Sequence, residues 1–343
     1  GAAELAAQGA ALLGDGHFLA LARRARSSRR SIAGRSLVVW ADGADAHAAG
    51  TAIEQQNDVY DLARLLVDIA DDEWIVDVGG NIGVVAMYAA ELQRQRGRGR
   101  GAAATSDGPV RVLTVEASPW SYVMLRLNLL QNGLRERVHV VHAAAGQTRG
   151  RVNGVHYFGQ SGTTWTGQRS IRRDAPWEGG TVDSQPRGFN VTARSLAHLF
   201  QLYRIRKVSV LKLDCEGCEW ELLPVLLGGL MSRVRFLVGE LHLLCASDGG
   251  KDPFYLPMVA VHRCFPRGYT ANDAARALGF FCDDWHFKMH CEKPTERTWR
   301  NHYVHSDSSI WLGLENIRWA QGPDVLPNES VVDAWRQGGN IRR

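Results

Sequence analysis

Short apolar runs bounded by turn residues alternate along the chain with stretches whose apolar positions recur every three or four residues. Ile53, Val59, Leu62, Leu65, Leu66 and Ile69 follow the helical spacing and predict an amphipathic helix ahead of a sheet. Trp74 to Val78 then reads as a buried strand running into glycines, after which Val84, Val85, Met87, Tyr88 and Leu92 return to helical spacing. Val110 to Val115 predicts a second strand ending at Glu116, and Pro119 opens a helix that Asn132-Gly133 stops. Val138 to Val141 is a third strand, Val208 to Leu213 a fourth with a helix around Trp220 to Leu227, and Val234 to Leu241 a fifth. Beyond it Ala271 to Leu278 fits a helix, and Phe280 to Trp285 and Ser309 to Leu314 fit two more strands. Strands alternating with helices predict a parallel, doubly wound α/β sheet.

Two segments interrupt the rhythm. Residues 94–109 are rich in Arg, Gly and Ala without periodicity and read as an inserted loop, an RNA-binding segment being the alternative. Residues 146–190 are polar but contain Tyr157, Phe158, Trp165 and Trp177. They leave the carboxyl end of the third strand, where open α/β sheets bind ligands, and so predict a lid or substrate wall. The plainer alternative is that the aromatics pin the excursion to the body. Ahead of the periodic region, within residues 1–50, Arg23, Arg24, Arg26, Ser27, Ser28, Arg29 and Arg30 form an acid-poor basic stretch. This basic arm reads as a transit or stem remnant, or as a solvated segment with no specific partner. The chain starts at Gly1, which leads us to expect an upstream segment. The expected division is therefore an arm over 1–50, a main domain over 51–320 with the two inserts, and a tail over 321–343.

Composition narrows the class. At 343 residues and 45% hydrophobic content the chain suits one large or two small domains, which excludes a disulfide miniprotein and a wholly disordered chain. No apolar run reaches the roughly 18 residues that would span a bilayer. The net charge of +4 is far from the field of a dedicated nucleic-acid binder, so nucleic acid is not the expected partner. Asn190-Val191-Thr192 and Asn328-Glu329-Ser330 fit the glycosylation pattern and tilt the expected compartment toward the secretory pathway, such as the Golgi lumen.

The chemistry concentrates at predicted strand ends. Asp77-Val78-Gly79-Gly80-Asn81-Ile82-Gly83 couples a strand to a helix through a glycine turn, but the spacing is not that of a dinucleotide fingerprint. Asp77 would repel a pyrophosphate and could pair with the ammonium of an amino-acid-bearing cofactor, which favours S-adenosylmethionine over NAD. Glu116, ending the second strand, stands where a carboxylate grips a ribose diol. Lys212, Asp214 and Glu216 end the fourth strand on one side of the chain by alternation, and Glu240-Leu241-His242 ends the fifth.

In order, Val-Asp-Val-Gly-Gly-Asn-Ile-Gly, Val-Glu-Ala-Ser-Pro, Ala-Ala-Ala-Gly at 143–146, Leu-Lys-Leu-Asp-Cys-Glu-Gly-Cys-Glu-Trp and Gly-Glu-Leu-His resemble the motif series of the FkbM-type S-adenosylmethionine-dependent methyltransferases. The resemblance covers about Trp74 to His242. It implies a class I methyltransferase fold, a Rossmann-like seven-stranded, mostly parallel sheet with helices on both faces and an antiparallel last strand. It also implies O-methylation, often on a sugar or polyketide hydroxyl. By motif, Asp77, Gly79, Gly80, Asn81 and Gly83 would line the methionine and ribose part of the cofactor, Glu116 the ribose, and Ala144 the adenine. Cys215 and Cys218 depart from the family's usual small apolar residues.

A hydroxyl acceptor needs a base to take its proton as the methyl bond forms. His242 is the strand-end group whose ordinary pKa lies near neutrality and is the expected base, with Asp214 or Glu240 to orient it and Lys212 to hold a carboxylate or acceptor oxygen. A histidine that merely caps the strand is the alternative. Cys215-x-x-Cys218 raises a zinc or redox reading. The nearest further ligands, Cys282, His286, His290 and Cys291, lack a second such pair, so buried thiols or a disulfide are expected instead of a metal. His302 and His305 extend this histidine-rich region. Two other readings stay open: an idle methyltransferase fold serving as a structural subunit, and methylation of RNA or protein.

Overall fold

The computed structural model describes residues 2–43, 58, 60–99, 111–146, 150–156, 163–165, 187–215, 218, 222, 226, 230–242, 287–289 and 309–316. The chain opens with helices α1 (Ala2–Leu13) and α2 (Asp15–Arg24) and a hairpin of β1 (Ala25–Ile32) and β2 (Arg35–Asp42). Then come a single helical turn α3 (Leu62–Leu65), β3 (Trp74–Val78), α4 (Val84–Gly99), β4 (Val112–Glu116), α5 (Pro119–Gln131) and β5 (His139–His142). Four short strands follow, β6 (Ala144–Ala145), β7 (Gly150–His156), β8 (Thr163–Trp165) and β9 (Arg187–Arg194). After α6 (Leu196–Leu202) the chain completes the main sheet with β10 (Val208–Leu213), β11 (Val234–His242), β12 (Phe287–Met289) and β13 (Ser309–Asn316).

The fold is α/β, built around a parallel sheet of five strands in the order β5-β4-β3-β10-β11. At the β11 edge β13 pairs antiparallel, and β12 pairs antiparallel with β13. Every residue of β3, β4 and β10 is buried, the signature of parallel strands covered on both faces. Period-two alternation sends Ile75, Val112, Val210 and Phe236 to one face, where they meet Val84 to Ala90 of α4 and Leu125 and Leu129 of α5. Val76, Val78, Leu113, Val115, Leu211 and Leu213 point the other way, against Leu196, Leu199 and Phe200 of α6. Each such side chain contributes roughly 1.5–3 kcal/mol by leaving water. The chain winds from β3 outward to β5 and returns to β10 on the other side of β3, so the β3/β10 seam is the topological switch point.

Several elements differ from expectation. The helix expected from Ile53 to Ile69 is, among the described residues, only the turn Leu62–Leu65. Its start is fixed by Asp58, whose carboxylate accepts from the amides of Leu62 at 2.6 Å and Ala63 at 2.8 Å. Helix α4 runs on to Gly99, past the loop expected to begin at residue 94. Gln93, Arg94 and Gln95 are good helix formers, and Arg94 pairs back to Glu91. The excursion over 146–190 contains strands: β7 and β9 pair antiparallel, β8 joins β7, and β6 joins β9.

Residues 2–43 form helices and a hairpin, not a solvated arm, and Leu13, Leu21, Ile32, Leu37 and Val39 join the main core. The arginine run falls on α2 and β1; Arg24 pairs with Asp42 at 2.7 Å while Arg23, Arg26 and Arg29 are exposed. Two side-chain amides, Asn128 of α5 and Asn132 at its C-cap, dock β2. Asn132 exchanges hydrogen bonds with the Val38 backbone at 2.8 and 2.7 Å, and Asn128 does the same with Trp40 at 2.6 and 3.0 Å. The helices expected at 220–227 (apart from Leu222 and Leu226) and 271–278, the strand at 280–285 and the tail lie outside the described residues.

Candidate active site

The carboxyl ends of β3, β4, β10 and β11 converge at the switch point, and the glycine turn sits between β3 and α4. The amides of Gly79 and Gly80 both donate to the Val115 carbonyl at 3.0 Å, which folds the chain sharply off the strand. Gly79 holds φ +83°, and a Cβ there would stand 1.7 Å from the Asp214 carbonyl oxygen, so the turn lies flat against the end of β10. Asn81 takes φ +46°, a left-handed conformation that asparagine tolerates, and thereby aims its amide at Glu116. Glu116 accepts from the Asn81 amide through Oε2 and from the Ser118 amide through Oε1, both at 2.7 Å. One carboxylate thus ties the turn to the start of α5, where Ser118 is the N-cap.

Beneath the turn lies a buried charge cluster. Lys212 is 1% exposed and its ammonium stands 3.0 Å from Asp77 Oδ1 and 3.6 Å from Asp214 Oδ2, while donating to the Gly79 carbonyl at 2.6 Å. Thr114 donates to Asp77 Oδ2 at 2.9 Å, and Tyr60 donates from its hydroxyl to Asp214 Oδ2 at 2.6 Å. The Tyr60 ring also faces the ammonium, 5.7 Å from its centroid. Burial works against the lysine's charge, but Asp77, Asp214 and Glu116 outweigh it and raise its pKa. Burial raises Asp77 as well, against the pull of Lys212 and the Thr114 hydrogen bond.

Glu116 is pushed up to about 7 by burial, although the amides of Ser118 and Asn81 and the charge of Lys212 pull it down. A carboxyl whose pKa is raised on folding contributes stability that is fully present below its ordinary value of 4.5 and lost as pH rises through about 7. We therefore expect the urea midpoint of the protein to fall between pH 4.5 and 8, and the Glu116→Gln variant to show a shallower fall. The variant's slope is the readout, because its amide leaves one backbone N–H without an acceptor and lowers stability at every pH. Equal slopes would remove Glu116 as the source.

Of the residues singled out from sequence, Asp77, Gly79, Gly80, Asn81, Gly83, Glu116, Lys212 and Asp214 come together here. Lys212 and Asp214 lie on one side of the strand end, as alternation required. The Asp77 carboxylate has no exposed surface and faces Lys212, so the structure gives it a lysine where a cofactor ammonium was expected. Ala144 is buried in β6 beside β4, its neighbour Ala143 donating to the Glu116 carbonyl at 3.0 Å. Glu240 and His242 lie in the final residues of β11, opposite Trp311 and Ser309 of β13. Glu216 lies outside the described residues, as do Tyr157, Phe158, Trp177, Cys282, His286, His290, Cys291, His302 and His305. Cys215 and Cys218 form a disulfide.

Sequence reasoning missed Tyr60, Thr114 and Ser118. Thr114 carried a signal, a polar residue inside an otherwise apolar run two positions before Glu116. Tyr60 carried none, since its partner is 154 positions away.

The donor set fits a cationic cofactor. Asp77 and Asp214 flank the Lys212 ammonium and Glu116 stands at the end of the neighbouring strand, an acid excess at the sheet end that suits a sulfonium. A mostly parallel α/β sheet with an acid-lined glycine turn at its switch point is a methyltransferase-like arrangement. Residues 77–262 match the family model described as Methyltransferase FkbM domain. That is just over half of the chain, which belongs to this family.

No curated protein matches the sequence. Among solved structures, the chain resembles a SAM-dependent methyltransferase from Agrobacterium tumefaciens at 12% identity and TM-score 0.29, over 65% of this chain and 55% of that one. It resembles EvdMO1 at 11% identity and TM-score 0.32, over 80% of this chain and 42% of that one. An O-methyltransferase family 2 protein from Planctomyces limnophilus DSM 3776, in complex with apigenin, is similar at 10% identity and TM-score 0.30, over 88% of this chain and 66% of that one. The chain thus spans about half the length of the first two, and likenesses this slight say nothing of its site.

Proposed function

We propose that the protein methylates a hydroxyl oxygen, on a glycan or a small molecule, with His242 as the base. The carrying observation is the strand register. Gly239 is the β11 partner of Leu213, the last residue of β10, so Glu240, Leu241 and His242 run on beyond the strand end at which Asp214 and the glycine turn meet. A base in that position serves an acceptor bound over the switch point. The class I arrangement belongs to the same reading, supported by two antiparallel pairings beyond β11.

When bound, S-adenosylmethionine supplies an electrophilic methyl group. Gly79, Gly80, Asn81 and Gly83 would border it, Glu116 would accept from its ribose hydroxyls, and Ala144 would lie near its adenine. Asp77 and Lys212 act from below by fixing the turn. His242 takes the acceptor's proton as the oxygen–carbon bond forms, with Glu240 or Asp214 orienting the imidazole; the strand-end acids keep the site suited to positive charge.

The test separates binding from turnover. A tritium-methyl transfer screen over glycans, small hydroxyl compounds, RNA and proteins identifies the acceptor, and a product on RNA or protein alone would end the hydroxyl proposal for small substrates. With that acceptor, His242→Gln is expected to lower turnover by about 100-fold or more while leaving S-adenosylmethionine affinity unchanged. Unchanged turnover would remove His242 from the chemistry.

A further inference from the structure

The Cys215–Cys218 bridge has no part in methyl transfer, yet it lies against the turn proposed to hold the cofactor. Its two ends sit in different surroundings. Cys218 is 3% exposed and packs in the apolar layer with Leu213, Leu222 and Leu226, whereas Cys215 is only partly buried. Between the bridge and the turn the contact is backbone on backbone. A Cβ at Gly79 would meet the Asp214 carbonyl carbon at 2.6 Å and the Cys215 Cα at 3.0 Å, and the Asp214 amide donates to the Val78 carbonyl at 3.1 Å. Whatever position Asp214 and Cys215 take, the glycine turn must follow.

We propose that Cys215–Cys218 is a thiol–disulfide exchange site, acted on by a dithiol reductant, and that its reduction weakens S-adenosylmethionine binding by releasing the backbone on which the glycine turn rests. The more accessible Cys215 Sγ is the point of attack. A reductant thiolate forms a mixed disulfide there, the Cys215–Cys218 bond breaks, and Cys218 leaves as a thiolate that takes up a proton, its apolar surroundings disfavouring charge. The reductant's second thiolate then attacks the mixed disulfide at the reductant's own sulfur, and Cys215 leaves and is protonated. The protein gains two electrons and two protons, and the reductant becomes a disulfide. With the ring open, Cys215 loses its covalent tie to the buried Cys218 while Asp214 keeps Tyr60 and Lys212, and the backbone beneath the turn has to be re-ordered on binding.

The inference rests on the glycine turn being the cofactor site, and the experiment separates the two. Isothermal titration of the full chain with S-adenosylmethionine is run before and after dithiothreitol, with alkylation and mass spectrometry reporting whether Cys215 and Cys218 are free. The expected result is protection of both thiols before reduction, labelling after it, and a Kd at least about five-fold higher in the reduced protein. A Cys215→Ser, Cys218→Ser double variant is expected to bind like reduced protein and to ignore the reductant, which discounts the other cysteines. Labelling before reduction, a reduced protein that binds within five-fold of the oxidised or more tightly, or a double variant that still responds overturns the exchange site. Absence of binding by the oxidised protein overturns the reading of the turn on which it rests.

Discussion

Lys212→Met is expected to lower stability by about 3–5 kcal/mol and to abolish S-adenosylmethionine binding, as read by urea denaturation and calorimetry. The side chain is 1% exposed and its ammonium is the positive charge set among Asp77, Asp214 and the carbonyls of Val78 and Gly79. Methionine fills the volume but leaves two carboxylates facing each other in an apolar surround. Asp77, already raised by burial, would respond by taking a proton, which moderates the loss. Adding Asp77→Asn to Lys212→Met should therefore cost less than the sum of the single changes, because the second removes a charge the first left uncompensated. Strict additivity would show that the pair is not coupled.

Gly79→Ala is the second large effect, expected at about 3 kcal/mol with S-adenosylmethionine binding lost. The cause differs from that at Lys212. The added Cβ would be driven to 1.7 Å from the Asp214 carbonyl oxygen, a backbone atom that cannot swing aside, and φ +83° is strained for alanine in any case. Relief requires β3 and β10 to part at their carboxyl ends, just where Lys212 bridges them. Gly83→Ala should be milder, since the added Cβ would meet the Leu125 side chain at 2.9 Å and its φ of +90° supplies the strain. A Gly79→Ala protein with normal stability and affinity would refute this account of the turn.

The parts of the fold that were legible in the sequence share one physical property. β3 and β10 follow their apolar runs residue for residue, and β4, β5 and β11 differ by one or two positions, because a strand buried on both faces must be written in apolar residues. The excursion over 146–190 hid its strands because β7 and β9 pair mainly with each other and leave polar residues such as Arg151 and Asn190 exposed. The charge cluster was half legible: strand-end position announced Asp77, Glu116, Lys212 and Asp214, but their pairing follows from register, which aligns Lys212 with Asp77. Tyr60 and the amides of Asn128 and Asn132 act on partners 88 to 154 positions away, and nothing local marks them.

Those two amides bear on where the protein can be cut. The family model starts at Asp77, which invites an expression fragment that drops the first 43 residues. Such a fragment would strip β2 from α5 and leave Asn128, fully buried in the intact protein, without its two hydrogen bonds to Trp40. Met87, Leu125 and Leu129, which share the core with Leu37 and Val39, would lose that cover and offer water an adhesive surface. A recombinant unit built for crystallisation or assay should therefore keep the hairpin, since β2 and α5 share both hydrogen bonds and core.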